Sequence, residues 1–167
     1  VLIAIILFVA YVFRKVSYPV SSWKYGFAVI IALAHDIIIP TGVFALLGHL
    51  YGVEIDILFI VALLTTLGLS VMDTIVVFDR IRENLISNKN KNFADLVGGS
   101  LSQTFGRSIN TSLVVLLMVL SLVFFGPAST KLFSIVLAIG MFFGTYSSIF
   151  LASPLLVIIE KLQKKQK

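Results

Sequence analysis

One apolar run carries a single acid near its end: Ile57-Leu-Phe-Ile-Val-Ala-Leu-Leu-Thr-Thr-Leu-Gly68-Leu-Ser-Val-Met-Asp73-Thr-Ile-Val-Val-Phe78. A bilayer span needs about 20 apolar residues, so this run predicts a transmembrane helix. An ionised carboxylate inside a bilayer costs several kcal/mol, and such a group is usually retained for transport, proton relay or pairing with a cation. Asp73 is therefore the leading candidate for a functional residue.

The composition is that of a membrane protein. Hydrophobic residues make up 59% of the 167 residues, charged residues only 13%, and the mean hydropathy is +1.07. A soluble domain has about 25% charged residues. The chain has no cysteine, which excludes disulfides, thiol catalysis and Cys-ligated zinc. Its basic residues lack the aromatic and glycine-rich pattern of RNA-binding proteins, so we expect no nucleic-acid partner.

Five transmembrane segments are predicted, which together make an all-α, polytopic helix bundle forming a single transmembrane domain over residues 1–167. They cover about residues 1–13, 25–50, 57–78, 108–125 and 132–159. The first segment opens directly in apolar residues without a basic flank, so we interpret it as the end of a helix that begins outside this sequence. A separate amphipathic helix on the cytoplasmic membrane surface is predicted over about 93–105, where apolar residues recur near helical spacing.

The charges of the links predict how the bundle is oriented. Twelve of the 13 Lys and Arg residues lie in three segments, residues 14–24, residues 79–107 and the C-terminal tail. Cytoplasmic links carry an excess of Lys and Arg, so these three segments are predicted to be cytoplasmic. The protein is then multi-pass with a cytoplasmic C-terminus.

Two further ionisable residues, His35 and Asp36, interrupt the second segment. Pro40 removes the helical hydrogen bond to the carbonyl of Asp36, so a kink and a free acceptor coincide with this carboxylate. This arrangement indicates a water or proton site. The alternative is a packing kink in which a Ser or Thr of a neighbouring helix holds Asp36. The imidazole of His35 either joins a relay with Asp36 or is a hydrogen-bonded packing group.

Arg107 is the candidate partner of Asp73, because it begins the fourth segment on the same side of the membrane. Burial favours a protonated carboxyl group, whereas a nearby Arg favours the carboxylate. Movement of Arg107 toward or away from Asp73 would therefore switch proton binding, and a gradient could drive a conformational change through that switch. The alternative is a static salt bridge, or a hydrogen bond to Ser or Thr, that fixes helix register.

Three further patterns complete the candidate positions. The charged helix end is Asp79-Arg80-Ile-Arg82-Glu83-Asn84, in which side chains one turn apart can pair. It either fixes the topology alone or acts as a hinge or a contact with a partner. Gly140-Met-Phe-Phe-Gly144 is a small-xxx-small pattern that permits close helix packing. We expect the hydroxyl residues of the fourth segment to bond between helices: Ser102, Ser108, Thr111 and Ser112. No HExxH, GxSxG, P-loop or dinucleotide motif is present, so no enzyme activity, cofactor or metal is expected.

Four motifs together carry a family resemblance. They are Ala34-His35-Asp36, Gly68-Leu-Ser-Val-Met-Asp73-Thr-Ile-Val-Val-Phe-Asp79-Arg80-Ile-Arg82-Glu83-Asn84, Ser102-Gln-Thr-Phe-Gly-Arg107-Ser-Ile-Asn-Thr-Ser112, and Gly144-Thr-Tyr-Ser-Ser-Ile-Phe-Leu-Ala-Ser-Pro154. In order and spacing they resemble the SecD/SecF family of bacterial protein-export membrane proteins. Two positions depart from the family pattern: Met72 stands where Asn is usual, and Leu69 where an aromatic residue is usual.

The resemblance implies a SecF-like subunit of the RND transporter superfamily. The chain would be half of an RND-type bundle, its second to sixth transmembrane helices, with the first helix and an extracytoplasmic domain absent from this sequence. Its implied partners are SecD (as a separate chain or a fused one), the SecYEG translocon, a YidC-type insertase, YajC, the translocating preprotein and membrane lipid, all at the bacterial inner (cytoplasmic) membrane.

The family's energy source is the proton gradient, with Na⁺ as an alternative ion, and Asp73 and Arg107 match the positions tied to proton movement. Two other functions remain open. One is a proton-coupled RND-type efflux or lipid transporter, and the other is a non-transporting assembly or scaffold subunit.

Overall fold

The chain folds into a bundle of long helices. The computed structural model describes residues 7, 8, 11, 22–87 and 92–165. The helices are α1 (Ser22–Tyr51), α2 (Ile57–Ser87), α3 (Phe93–Phe125), α4 (Ala128–Ser147) and α5 (Ser153–Lys165), with a π-helical segment (Ser148–Ala152) between α4 and α5. Helices suit these apolar runs because each satisfies its own backbone hydrogen bonds, as a membrane requires.

Four stretches of the described residues are long and apolar enough to cross a membrane: Lys24–Tyr51, Ile57–Ser87, Phe93–Phe125 and Ala128–Leu162. Their mean hydropathies lie between 1.9 and 2.3. The predicted class, an all-helical membrane protein, is confirmed, but the predicted number of five spans is not matched. The first predicted segment, residues 1–13, lies outside the described residues except at positions 7, 8 and 11.

Helix α3 is longer than the sequence suggests. The predicted surface helix at 93–105 and the predicted span from 108 are one unbroken helix of 33 residues. The reason is a buried face that continues across the junction at helical spacing: Phe93, Leu96, Val97, Ser100, Thr104 and Ser108. At about 1.5 Å per residue the helix is roughly 50 Å long, well beyond a hydrocarbon core of about 30 Å. Its polar first half therefore extends outside the bilayer.

Glycine is required at two helix ends. Gly52 follows α1 with φ +67°, and its N–H donates to the Gly48 carbonyl at 3.0 Å. A left-handed residue after the last turn is the usual way to stop a helix, and glycine adopts it without steric cost. Gly126 follows α3, where a Cβ atom would lie 2.3 Å from the Leu122 carbonyl oxygen. The two-residue link Gly126–Pro127 between α3 and α4 depends on that missing Cβ.

A Gly52→Ala variant is expected to lower the free energy of unfolding by about 1–2 kcal/mol, because alanine resists the left-handed conformation. The matched control is Gly42→Ala. Gly42 lies inside α1 with nothing within 4 Å of an added Cβ, so alanine should stabilise the helix by about 0.5–1 kcal/mol. Thermal unfolding of the full-length protein in detergent measures both effects. Equal melting temperatures for the two variants would contradict the assignment.

A layer of polar side chains separates two apolar clusters in the bundle. The first cluster joins α1, α2, the start of α3 and α5, and its largest members include Tyr25, Leu33, Phe78, Ile81 and Leu156. The second lies toward the opposite ends of α1 and α2 and contains Phe44, Phe59, Val136 and Leu137. Between them are buried polar residues of α1, α2 and α4 with its π-helical continuation: Asp36, Thr66, Ser70, Thr74, Ser147 and Ser148. Of the predicted site residues, those that fall in or beside this layer are His35, Asp36, Asp73, Arg107 and Gly144.

Candidate functional site

The carboxyl group of Asp73 has two oxygens in different surroundings. Oδ1 accepts a hydrogen bond from the Ser108 hydroxyl of α3 at 2.6 Å. Oδ2 is buried and makes no hydrogen bond within the described part of the chain, although the Ser148 hydroxyl is close enough to interact with the carboxyl group. One oxygen is thus held by a neighbouring helix, while the other is open to a new partner.

Arg107 lies beside this carboxyl group without an ion pair to it. Both side chains line one cavity, and the charge of Arg107 acts on the carboxylate. Among the ion pairs that the described residues form, none within 4.0 Å joins Asp73 to Arg107, and Arg107 is exposed. A static salt bridge, one of the predicted alternatives for Asp73, is therefore not present in this conformation. The other alternative, a hydrogen bond from a Ser or Thr of a neighbouring helix, is present in the form of the bond from Ser108.

The cavity beside Asp73 has a volume of about 100 Å³. Water occupies about 30 Å³ per molecule in the liquid, so the space holds on the order of three waters. Hydroxyl side chains from three helices line it: Thr66 and Ser70 of α2, Thr111 and Ser112 of α3, and Thr145 of α4. Of these, the Thr66 hydroxyl is buried and has no hydrogen-bond partner among the described residues. The cavity therefore offers free polar groups to water or to a hydrated proton.

Two glycines of α4 form the wall of the cavity opposite α2. A Cβ atom at Gly140 would lie 2.4 Å from Oγ1 of Thr66. One at Gly144 would lie 3.2 Å from Cβ of Ser70 and 3.9 Å from Oδ2 of Asp36. The small-xxx-small pattern thus places α4 directly on the polar face of α2, as such patterns do in membrane bundles.

His35 and Asp36 lie on α1 and reach α2 through Ser70, one turn before Asp73. The Asp36 side chain has 0% exposure, and its Oδ1 is 3.0 Å from Nδ1 of His35. Its Oδ2 accepts a short hydrogen bond from the Ser70 hydroxyl. Pro40 is buried four residues farther along α1, which continues to Tyr51. The carboxyl group of Asp36 is therefore held on both oxygens, in contrast to that of Asp73.

Within the polar layer, hydroxyl groups that the sequence does not single out form hydrogen bonds between α2 and the π-helical segment. The Thr74 hydroxyl lies 2.8 Å from the Ser148 hydroxyl and donates to the Ser70 carbonyl at 3.0 Å. Ser148 opens the π-helical segment, and the Ser153 hydroxyl donates to its carbonyl at 3.3 Å. Segments of this kind often occur at functional sites. The sequence pattern that could have pointed to these hydroxyl groups is their four-residue spacing along α2, at Thr66, Ser70 and Thr74.

The hydroxyl residues predicted to bond between helices divide into two groups. Ser108 bonds to Asp73, and Ser112 accepts from the Thr145 hydroxyl at 2.6 Å, so both join helices. Thr111 instead donates to the Arg107 carbonyl of its own helix, and Ser102 is exposed.

The charged end of α2 docks on α3. Its ion pairs are three residues apart, Arg80 with Glu83 at 2.6 Å and Arg82 with Asp79 at 2.9 Å. The same segment reaches α3, where Gln103 accepts from Arg80 at 2.6 Å and from Asn84 at 2.9 Å. These residues do not reach the cavity. Gly68 has open space around its missing Cβ, so no contact with another described residue explains it.

The described residues define a polytopic membrane protein whose interior holds two carboxyl groups and a small cavity lined in part by hydroxyl side chains. Ionisable residues in this position are the mark of proteins that move ions or protons.

Comparison with known proteins agrees with that class. The model for the family "Protein export membrane protein SecD/SecF, C-terminal" matches residues 1–162. The protein translocase subunit SecF of Thermobaculum terrenum is 53% identical over 150 residues, covering 90% of this chain and 46% of that protein. The subunit SecDF of Thermus thermophilus is 43% identical over 144 residues, covering 86% of this chain and 19% of that protein. The chain belongs to the SecD/SecF family.

The fold has a close match among solved structures. A crystal structure of SecDF in the super-membrane-facing form superposes with a TM-score of 0.86 at 41% identity, covering 99% of this chain and 21% of that one. The SecF of Anaerolinea thermophila is 42% identical over 159 residues, which is 51% of its length. The chain therefore spans about half the length of the SecF proteins it matches.

Proposed function

We propose that the full-length protein is a SecF subunit that works with SecD to assist preprotein translocation across the bacterial cytoplasmic membrane, driven by the proton gradient. The family membership supports the export role. The observation that carries the proton coupling is the Asp73 carboxyl group, which has one oxygen tied to Ser108, a second oxygen without a hydrogen bond among the described residues, and a place in the lining of the cavity shared with Arg107. Such a group can bind and release a proton without breaking the bundle.

The orientation and the partners are part of this proposal. The basic links favour a cytoplasmic C-terminus. SecD supplies the other half of the bundle, as the fused SecDF relatives suggest. SecYEG, a YidC-type insertase and YajC complete the assembly. The coupling ion is H⁺, with Na⁺ as the alternative.

The cycle follows from the chemistry of the cavity. When Arg107 is close, its charge stabilises the ionised Asp73. When Arg107 moves away, the buried carboxylate loses that stabilisation and takes up a proton from water in the cavity. Protonation in turn removes the attraction for Arg107, which sits on α3 directly beside Ser108. Each proton therefore changes how α3 lies against α2, and that movement is what the proposed export function would use.

Replacement of Arg107 by glutamine tests this proposal. In cells whose own SecF is depleted, the full-length Arg107→Gln protein should slow gradient-dependent export roughly tenfold, because a charge pair at cavity distances contributes on the order of 1–2 kcal/mol. Pulse-chase labelling of a secreted precursor, with and without an ionophore, gives the rate. The control is Arg82→Gln, which breaks a surface pair away from the cavity. Export unaffected by Arg107→Gln would favour a scaffold role, and normal export with altered sensitivity to toxic compounds would favour an efflux role.

A further inference from the structure

The pair formed by His35 and Asp36 must hold a proton if it is to be electrically neutral. Asp36 is fully buried, and an isolated buried carboxylate is strongly disfavoured unless it is paired or protonated. Among the described residues, the only group in contact with it that can become positive is the His35 imidazole, at 3.0 Å. Neutrality thus requires one proton on the pair, either as imidazolium with carboxylate or as imidazole with carboxylic acid.

Ser70 connects this pair to the Asp73 cavity. Its hydroxyl donates to Oδ2 of Asp36, and the same residue lines the cavity that Asp73 and Arg107 share. On α2, Ser70 precedes Asp73 by three residues, so the two side chains lie one turn apart. Gly144 leaves the room for this bond, since a Cβ there would lie 3.9 Å from the Asp36 oxygen and 3.2 Å from Cβ of Ser70.

The other surroundings of the pair contribute little charge. The α4 residues that contact the imidazole ring are aromatic: Phe143 and Tyr146, each with 6.4 Å between ring centroids. From α2 the pair meets the Ser70 hydroxyl, with Asp73 and Arg107 beyond it across the cavity. The titratable groups around the pair are therefore Tyr146 on one side and Asp73 on the other. A proton that leaves the pair toward the polar side has to pass Ser70.

We propose that His35 and Asp36 form a second proton-binding site, in series with Asp73 through the Ser70 hydroxyl; this inference rests on the proposed proton-coupled function. In the outward step, Nδ1 of the imidazolium gives its proton to Oδ1 of Asp36. After a half-turn of the carboxyl group about Cβ–Cγ, that proton passes to Oγ of Ser70, which releases its own hydroxyl proton to water in the cavity. One proton leaves the pair and one enters the cavity, and the inward step is the reverse.

The first test compares two substitutions of His35 in the full-length protein, assembled with its SecD partner. Asparagine can donate the same hydrogen bond to Asp36 but cannot carry a proton. If the role of His35 is only structural, export should be retained in His35→Asn and lost in His35→Ala. If His35 binds the proton, neither variant should support normal export, and both should slow gradient-dependent export by about tenfold or more. The matched control is His49→Asn, at the exposed end of the same helix.

The second test removes the link. Ser70→Ala should slow gradient-dependent export to the same degree as His35→Asn. In ¹⁵N spectra of labelled histidine it should also slow proton exchange at the His35 ring, whose signal is identified by its loss in His35→Asn. The control is Ser134→Ala, another fully buried serine, whose hydroxyl donates to the Thr130 carbonyl of its own helix. Melting temperature and recovery of the complex establish that each variant is folded.

The outcomes separate the two proposals. If His35→Asn and Ser70→Ala export at the rate of their controls while Asp73→Asn blocks export, the second site is refuted and the proposed function stands. If Asp73→Asn itself exports normally, the proposed function fails and the second site fails with it.

Discussion

An Asp73→Asn variant of the full-length protein is expected to lose the gradient-dependent part of export completely, down to the rate of cells that lack the protein. Asparagine keeps the size of the side chain, and its carbonyl oxygen can still accept the hydrogen bond that Ser108 donates to Asp73 at 2.6 Å. It cannot bind and release a proton. Stability should therefore change by no more than about 1 kcal/mol, while coupling is abolished.

The measurement is pulse-chase export of a secreted precursor with the gradient intact and with it collapsed by an ionophore. Wild-type cells should slow on collapse, whereas Asp73→Asn cells should already be slow and should not respond. Asp95→Asn is the matched control, because Asp95 is an exposed acid in the first turn of α3. A variant that still responds to the gradient as the wild type does would remove Asp73 from the coupling mechanism and leave it as a residue that fixes helix register.

The Gly140→Leu variant is expected to show the largest loss of stability. Even the first added carbon would lie 2.4 Å from Oγ1, 2.5 Å from Cγ2 and 2.9 Å from Cβ of Thr66. Thr66 is buried and β-branched, which restricts its χ1 rotamers, so it can move aside only at a cost. Overpacking a tight interface costs typically 1–3 kcal/mol, and leucine at this contact should reach or exceed about 3 kcal/mol. The clash would force α2 and α4 apart, and the polar side chains packed between them would lose their contacts.

Thermal unfolding in detergent and the yield of folded protein measure this loss. The matched control is Gly106→Leu in α3, where nothing lies within 4 Å of an added Cβ. The gentler pair Gly140→Ala and Thr66→Gly isolates the contact, because glycine at 66 removes all three atoms that obstruct residue 140. The double variant should recover about 1 kcal/mol or more relative to the sum of the single changes. Strict additivity would show that this contact does not set the spacing of α2 and α4.

Hydropathy was enough to predict the class of the fold, because segments such as residues 57–78 are long apolar runs for which a helix is the satisfactory structure in a membrane. The extent of α3 was not predictable in the same way. Its first half is polar enough to suggest a separate surface helix, and only the helix packed against it shows why the buried face continues from Phe93 through Ser108. How far the buried face of a helix extends depends on the helix that packs against it, and that packing is a property of the tertiary structure.

The acids of the site could be found from the sequence because a carboxylate in an apolar run is costly and conspicuous. The hydroxyl groups around them could not. Ser and Thr in helices commonly bond to their own backbone, as Thr65 does to the Val61 carbonyl at 2.8 Å, and the sequence does not distinguish such residues from Ser70, which bonds to Asp36. The contact of the Ser148 hydroxyl with Thr74 of α2, at the start of the π-helical segment Ser148–Ala152, is likewise not evident from the sequence.

The link of two residues between α3 and α4 bears on how the protein enters the membrane during synthesis. With only Gly126 and Pro127 between them, the two helices are short-linked neighbours that can partition into the bilayer together as one hairpin. The Ser112 and Thr145 hydroxyls, which bond at 2.6 Å, can then shield each other from lipid. The apolar half of α3, which contains an 18-residue window with a mean hydropathy of 2.3, is thereby inserted together with the helix that carries both packing glycines. The interface on which the cavity depends is half assembled at the moment of insertion.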